Sequence, residues 1–269
     1  MLSLTQSGIL DVGYIGAAYV SDKMPLSAVA ELPGSFENSC QIMKGYWELA
    51  TEGGYLYENE FKPNGIRPLF AAILPPYQIV TAVSRPLKSL SDFEGLKVRA
   101  AGGAQDLTLR KLGMVPIKMA PPEIYESMSR GTIDGSLFPY VSVESYKLSP
   151  LVKYATYKAN FGSIVAAYSI SEKKWNTLPA DVQAILLKAG DEATKAACVN
   201  FDEQESQAKA RLEKHGVKFV EFDQAAQEVL HSTYNEIAEN WAQQLDARNR
   251  PGTEALKAFR EASAKALSK

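Results

Sequence analysis

The chain has 269 residues, 46% of them hydrophobic and 22% charged, with a formal net charge of −2. This is the composition of an ordinary globular protein, long enough for one large domain or two lobes. The charge balance argues against a nucleic-acid surface or a polybasic membrane anchor, and no stretch approaches the roughly eighteen apolar residues of a membrane span. The opening Met-Leu-Ser-Leu-Thr-Gln-Ser-Gly has no basic or long apolar region and does not read as a secretory signal.

Residues 1–20 read as the end of a helix, Gly8, a strand from Ile9 to Tyr14 and a loop at Ile15-Gly16-Ala17. A helix passes through Trp47 and Leu49, and a strand begins at Gly65. Pro75-Pro76-Tyr77 and Arg85-Pro86-Leu87 bracket an extended passage; prolines there reduce unfolded-state freedom. From Leu90 to Pro139 the chain reads as a helical turn, a strand (Leu96 to Ala100), a helix, a strand, a short helix and a third strand. The short helix, Glu123 to Arg130, starts after two prolines and stops at Gly131. Such alternation predicts a mostly parallel sheet, whose ligands bind beyond the carboxyl ends of the strands. Arg99 sits at such an end, followed by Ala-Gly-Gly, which allows a sharp turn and a close approach.

Beyond it come a helix from Tyr140 to about Leu148 and an apolar strand from Phe161 to Ile170. A long helix follows from about Ala180 to His215, with Val182, Ile185, Leu186, Ala189 and Ala193 as its expected buried face. Gly216 ends it, Val217 to Glu221 is a strand, and the polar, helical remainder to Lys269 is broken at Pro251-Gly252.

Cys40 and Cys198 are the only two cysteines, both in helical surroundings. Nothing in the sequence shows that they meet, the expectation is that they do not pair, and compartment is not read from them. His215 and His231 lie far from both, so no metal set forms. No Gly-x-Ser-x-Gly, no His-Glu-x-x-His and no recognisable carboxylate pair is present. Gly102-Gly103 lacks the Lys-Ser/Thr of a phosphate loop, and nothing singles out Glu123 among possible bases. No catalytic residue, cofactor or metal is therefore expected.

Arg99 carries the binding hypothesis. Its planar fork of donors matches a carboxylate bidentately, which a lysine cannot do. Residue chemistry alone leaves open a strand-end arginine paired with a surface acid.

Around it, Asp92, Gly95, Lys97, Arg99, Leu112, Gly113, Pro116, Met119, Glu123, Tyr125, Met128, Gly131, Ile133, Asp134 and Gly135 keep a fixed spacing. That pattern resembles the signature of the solute-binding receptors of TRAP (tripartite ATP-independent periplasmic) transporters, DctP type. Gly8-x-Leu10-Asp11-Val12-Gly13, Glu31-Leu-Pro-Gly-Ser-Phe, Gly65-Ile-Arg-Pro-Leu and the run from Ser171 through Trp175 to Asp181 extend the likeness. Relatives carry a further strand, helix and strand before the first of these, so the chain resembles a member lacking the usual N-terminal segment.

The resemblance implies an α/β fold, two-lobed and periplasmic-binding-protein-like (type II), with a long interlobe helix. Residues 1–76 and 163–205 would form the first lobe, and 77–162 and 206–269 the second. It implies a non-enzymatic, periplasmic receptor with Arg99 clamping a small organic carboxylate, and TRAP membrane permease subunits as partners. The hinge would use Leu74–Ile79 and Phe161–Ala166. Tyr14, Ile15 and Gly16 match a solute-touching loop. Phe138 and Tyr77 are ligand contacts or packing, and Met119 and Pro121 lie at the pocket edge. Asp134-Gly135 would be a structural turn. Some relatives add a second arginine where Ile79 stands and an asparagine where Phe138 stands, and a metal-binding branch has Glu-Trp at Leu137-Phe138. These departures imply an apolar wall suited to an apolar or aromatic acid. An enzyme on the same two-lobe fold, and a remnant without a binding role, are the alternatives.

Overall fold

The strands of this chain fall into two separate sheets joined by extended crossings and one long helix. The computed structural model describes residues 1–34, 36–84 and 87–267; of the segments read above, Ser35, Arg85, Pro86, Ser268 and Lys269 lie outside the described residues. In chain order the first half comprises α1 (Leu2–Gln6), β1 (Val12–Gly16), α2 (Ser39–Ala50), β2 (Ile66–Ile73), β3 (Gln78–Thr81), β4 (Lys97–Ala100), α3 (Ala104–Lys111), β5 (Val115–Lys118), α4 (Ile124–Ser129) and β6 (Gly135–Phe138). The second half comprises α5 (Tyr140–Ser145), β7 (Tyr154–Tyr157), β8 (Val165–Ser171), α6 (Glu172–Trp175), α7 (Ala180–Lys214), β9 (Lys218–Glu221), α8 (Gln224–Asp246) and α9 (Gly252–Leu267).

The first sheet has the order β1-β8-β2 and is antiparallel throughout. The second has the order β5-β4-β6-β3-β7-β9. There β4 runs parallel to β5 and β6, and β7 to β9, while β3 is antiparallel to both its neighbours. The expected mostly parallel sheet thus holds only for strands linked through helices. β3 and β8 arrive directly from the crossings, with no crossover helix to bring them in parallel. The two-lobed α/β architecture with its long helix is as the resemblance implied.

The crossings run side by side. Leu74 N donates to Ile164 O at 3.1 Å, Tyr77 N to Gly162 O at 2.7 Å, and Phe161 N to Tyr77 O at 2.9 Å. Many of the signature residues around Arg99 are turn builders that deliver β4. Asp92 Oδ2 accepts from the amides of Lys88 and Ser89, both at 2.9 Å, and Asp134 Oδ2 accepts from Lys97 N at 2.8 Å. In the first sheet, Arg67 lies between the Tyr57 and Trp175 rings, 5.1 and 5.0 Å from their centroids, and pairs with Glu52 at 2.7 Å. It therefore fixes β2 and α6 to each other.

Helix α7 has 35 residues and so spans about 52 Å. Its buried stripe is Gly190, Thr194, Cys198, Ala208 and Leu212, not the expected apolar set; Ile185 is 64% exposed. Close backbone approach decides this. A Cβ on Gly190 would stand 1.7 Å from Leu69 O, and Thr194 Oγ1 accepts from Ala71 N at 3.0 Å. One turn beyond Cys198, Asp202 accepts from the Ser39 and Cys40 amides at the start of α2 (2.7 and 3.3 Å). Glu205 accepts from the Tyr140 and Val141 amides at the start of α5 (2.8 and 2.9 Å). Adjacent carboxylates on one helix thus cap one helix beside each sheet. The last helix, α9, packs against both α2 and α8.

Cys40 and Cys198, expected to stay apart, form a disulfide with Cα atoms 4.9 Å apart. Packing of α2 on α7 brings together positions 158 residues apart, which no local pattern could show. A cross-link over so long a loop removes much unfolded-chain freedom, and removing such a bridge costs about 2–5 kcal/mol. Urea denaturation of Cys40→Ser/Cys198→Ser is expected to show that loss; an unchanged midpoint would mean that the bridge adds nothing.

Burial raises the carboxyls of Glu60 and Glu205 to about 7, with amide hydrogen bonds opposing. Both groups hold protons in the folded chain at pH values where the unfolded chain has released them. Their contribution is therefore complete below the ordinary value of 4.5 and is lost as pH rises toward 7. Each contributes a slope of at most about 1.4 kcal/mol per pH unit. Denaturation of Glu205→Gln at pH 5, 6, 7 and 8 is expected to show a shallower decline than wild type, and a parallel decline would refute the assignment.

Candidate functional site

β4 places Arg99 between Ile117 of β5 and Ser136 of β6, in the middle of the parallel part of the second sheet. The side chain is wholly buried. Its Nε donates to Met119 O at 3.0 Å, and its guanidinium carbon lies 5.2 Å from the centre of the Phe138 ring. Nη1 and Nη2 are buried and have no hydrogen-bond partner among the described residues. The open alternative of an exposed arginine paired with a surface acid is thereby overturned. A buried guanidinium without a carboxylate partner is costly, and two parallel donors left free are matched to a bidentate anion.

Phe138 ends β6 and is 2% exposed. Tyr77, from the crossing, meets it edge to face at 6.3 Å, and Tyr146 lies against it at 5.5 Å. Burial pushes the Tyr77 phenol well above its ordinary value, with the Arg99 charge opposing and Tyr19, Tyr14 and Glu31 adding to the rise. Arg99, Phe138 and Tyr77 thus form one contact set. Met119 joins it through its carbonyl, while its side chain packs toward the core.

The first sheet supplies the other side. Tyr14 of β1 is opposite Tyr168 of β8, which is opposite Phe70 of β2. The first pair meets edge to face at 5.6 Å and the second stacks at 4.3 Å. The Tyr14 phenol is raised by burial first, then by Tyr19, Tyr168, Glu31 and Tyr146. Tyr146 follows α5, beside the second sheet, so groups from the two sheets lie close enough to act on each other. Gly16 has a clear steric role: a Cβ there would stand 2.9 Å from the Tyr19 ring and 3.2 Å from the Tyr14 hydroxyl. Tyr14 is linked to Arg99 through Tyr77, whose phenol feels both the Arg99 charge and Tyr14; Gly16 lies beside the Tyr14 hydroxyl. Gly102 and Gly103 both have positive φ (111° and 60°), which gives the turn after Arg99 its shape.

Sequence reading missed Tyr19, Tyr146, Tyr168, Phe70, Glu31 and Gln105. β8 is buried along nearly its whole length, so no alternation singled out Tyr168. Among the described residues no group of His, Cys, Asp and Glu could hold a metal ion, and no helix is long and apolar enough to cross a membrane.

Comparison with known proteins places this geometry in a family. Residues 1–244 match the profile of DctP, bacterial extracellular solute-binding protein, family 7. The C4-dicarboxylate-binding periplasmic protein DctP of Rhodobacter capsulatus is 31% identical over 166 residues, covering 60% of this chain and 50% of that protein. The chain thus spans half the length of that relative. A monocarboxylate 2-oxoacid-binding periplasmic protein of Nostoc sp. is 27% identical over 97% of this chain and 71% of its own length. A TRAP periplasmic solute-binding protein of Bordetella bronchiseptica, solved with (R)- and (S)-mandelate bound, superposes with a TM-score of 0.85 at 27% identity, over 98% of this chain and 83% of that one. These relatives are binding proteins, not enzymes, and the chain belongs to the DctP family of bacterial extracellular solute-binding proteins.

Proposed function

We propose that the chain serves as the solute receptor of a TRAP transporter in the periplasm, holding a small organic carboxylate between its lobes with Arg99 as the clamp. One observation carries this reading: the buried guanidinium is anchored through Nε and the Phe138 ring, and its two terminal nitrogens remain without a protein partner among the described residues. Hydrogen bonds from both to one carboxylate would satisfy the charge and the geometry together.

The surrounding rings favour an acid with an apolar or aromatic body. Tyr77, Phe138 and Tyr146 stand on the Arg99 side, and Tyr14, Tyr168 and Phe70 on the other. Ile79, where some relatives have a second arginine, is fully buried in β3. The mandelate bound by the Bordetella relative has this chemistry. A C4 dicarboxylate, the solute of the Rhodobacter relative, presents a second carboxylate that would need a second cation. Closure would bend the crossings at 74–79 and 161–166, expel water and strengthen the charged contact. The closed form would then be recognised by the membrane permease subunits.

A thermal-shift series with mandelate, benzoate, succinate and galacturonate tests this. The aromatic monocarboxylates are expected to raise the melting temperature most. Arg99→Met is expected to weaken their binding by about 2–5 kcal/mol. Without solute, that variant should be as stable as wild type or more so, because an apolar group replaces a buried charge. Mandelate affinity in Arg99→Met equal to wild type would refute the clamp.

A further inference from the structure

Glu31 is a buried acid that the carboxylate site does not use directly. It ends the turn Leu26–Glu31 and has no exposed surface. Its Oε1 accepts from the amides of Ala18 and Val165, both at 3.2 Å, and its backbone carbonyl accepts from Ser163 N at 3.3 Å. Its Oε2 has no hydrogen-bond partner among the described residues. Ala18 lies in the first-lobe loop that follows Gly16. Gly103, in the turn after Arg99, faces that loop: a Cβ on it would stand 3.7 Å from Ser21 Cβ and 3.9 Å from Ala18 Cα.

The second lobe is tied to the same place. Gln105, also fully buried, accepts from Ala101 N at 2.9 Å and donates to Ser163 O at 3.3 Å. Residues 163–165 of the crossing thus anchor the loop on each side of the cleft, Glu31 holding one and Gln105 the other.

We propose that Glu31 is a positioning residue for the carboxylate site, fixing through Oε1 the first-lobe loop Ala17–Val20 where it meets the turn after Arg99. This rests on reading the cleft as a carboxylate site. Burial pushes Glu31 up to about 8, with the Val165 and Ala18 amides opposing, so at neutral pH it keeps its proton. The titratable groups that act on it or feel it are Tyr14 from β1, Tyr46 from α2, Glu60 from the segment before β2, and Tyr77 from the crossing, with Arg99 beyond Tyr77. Burial holds the three phenols above their usual range, and Glu60 is raised to about 7. Glu31 and Glu60 are therefore the members of this set that ionise between pH 7 and 9. An ionised Glu31 would place a negative charge in the same water-poor interior as a bound anion and oppose it.

The test combines calorimetric titration of the full chain with mandelate at pH 6 to 9 and residue-resolved amide exchange without solute. Wild-type affinity is expected to fall about fivefold from pH 7 to pH 9, as a negative charge forms in the same low-dielectric interior as the anion. Glu31→Gln keeps the acceptor oxygen and should bind as wild type at pH 7 but lose most of the fall, whereas Glu60→Gln should retain it. In Glu31→Leu the Ala18 amide should exchange at least about tenfold faster, since its bond is lost. Unchanged Ala18 exchange in Glu31→Leu, or an undiminished fall in Glu31→Gln, overturns the proposal while leaving the Arg99 clamp standing. Failure of wild type to bind mandelate, benzoate, succinate or galacturonate at any pH overturns the carboxylate reading, and this proposal with it.

Discussion

The arrangement depends on how the chain passes between its two sheets. The extended segments 74–77 and 161–164 run together and are hydrogen-bonded to each other, so neither can shift without the other. β3 and β8 leave them in opposite senses, which makes the first sheet antiparallel and places β3 antiparallel inside the second. Helix α7 forms the third link. Its Asp202 and Glu205 cap α2 and α5, and the Cys40–Cys198 bridge holds it against α2. Two paired extended segments and one helix pinned by its carboxylates and the disulfide therefore connect the two sheets.

The cleft inherits its order from the same crossing. Tyr77 is one of its residues, bonded by its backbone to Gly162 and Phe161, and its ring packs on Phe138. Ser163 accepts from Gln105 and its amide bonds Glu31. The loops that face each other across the cleft are thus referenced to one strand, not to each other.

Legibility from sequence followed the range of the interactions. Asp92 and the positive-φ glycines Gly95, Gly113 and Gly131 shape local turns, and Asp134 reaches to the adjoining strand at Lys97, so their fixed spacing marks out β4 and with it Arg99. Phe138 was readable from its place after Asp134-Gly135, and Tyr77 from its place in the crossing. The buried stripe of α7 was not, because Gly190 and Thr194 are buried by backbone approach from β2, and small residues leave no mark in an apolar pattern. The disulfide joins positions whose meeting depends on helix packing. Glu31 reads as an ordinary acid before Leu-Pro-Gly; only the fold shows that no water reaches it. Tyr146 and Tyr168 reach the cleft from elements distant in sequence from the Arg99 stretch.

Arginine at position 99 is required by the geometry as well as by the charge. The guanidinium divides its donors: Nε is committed to the Met119 carbonyl and sets the plane of the group, while the opposite edge stays free. A lysine ammonium could not do both, since binding that carbonyl would leave its other donors pointing in tetrahedral directions on a flexible stem. The Phe138 ring under the guanidinium offsets part of the cost of removing the cation from water without offering an acceptor that would compete for its free edge. The aromatic residue therefore stabilises the buried cation while leaving Nη1 and Nη2 unoccupied by the chain's own described residues.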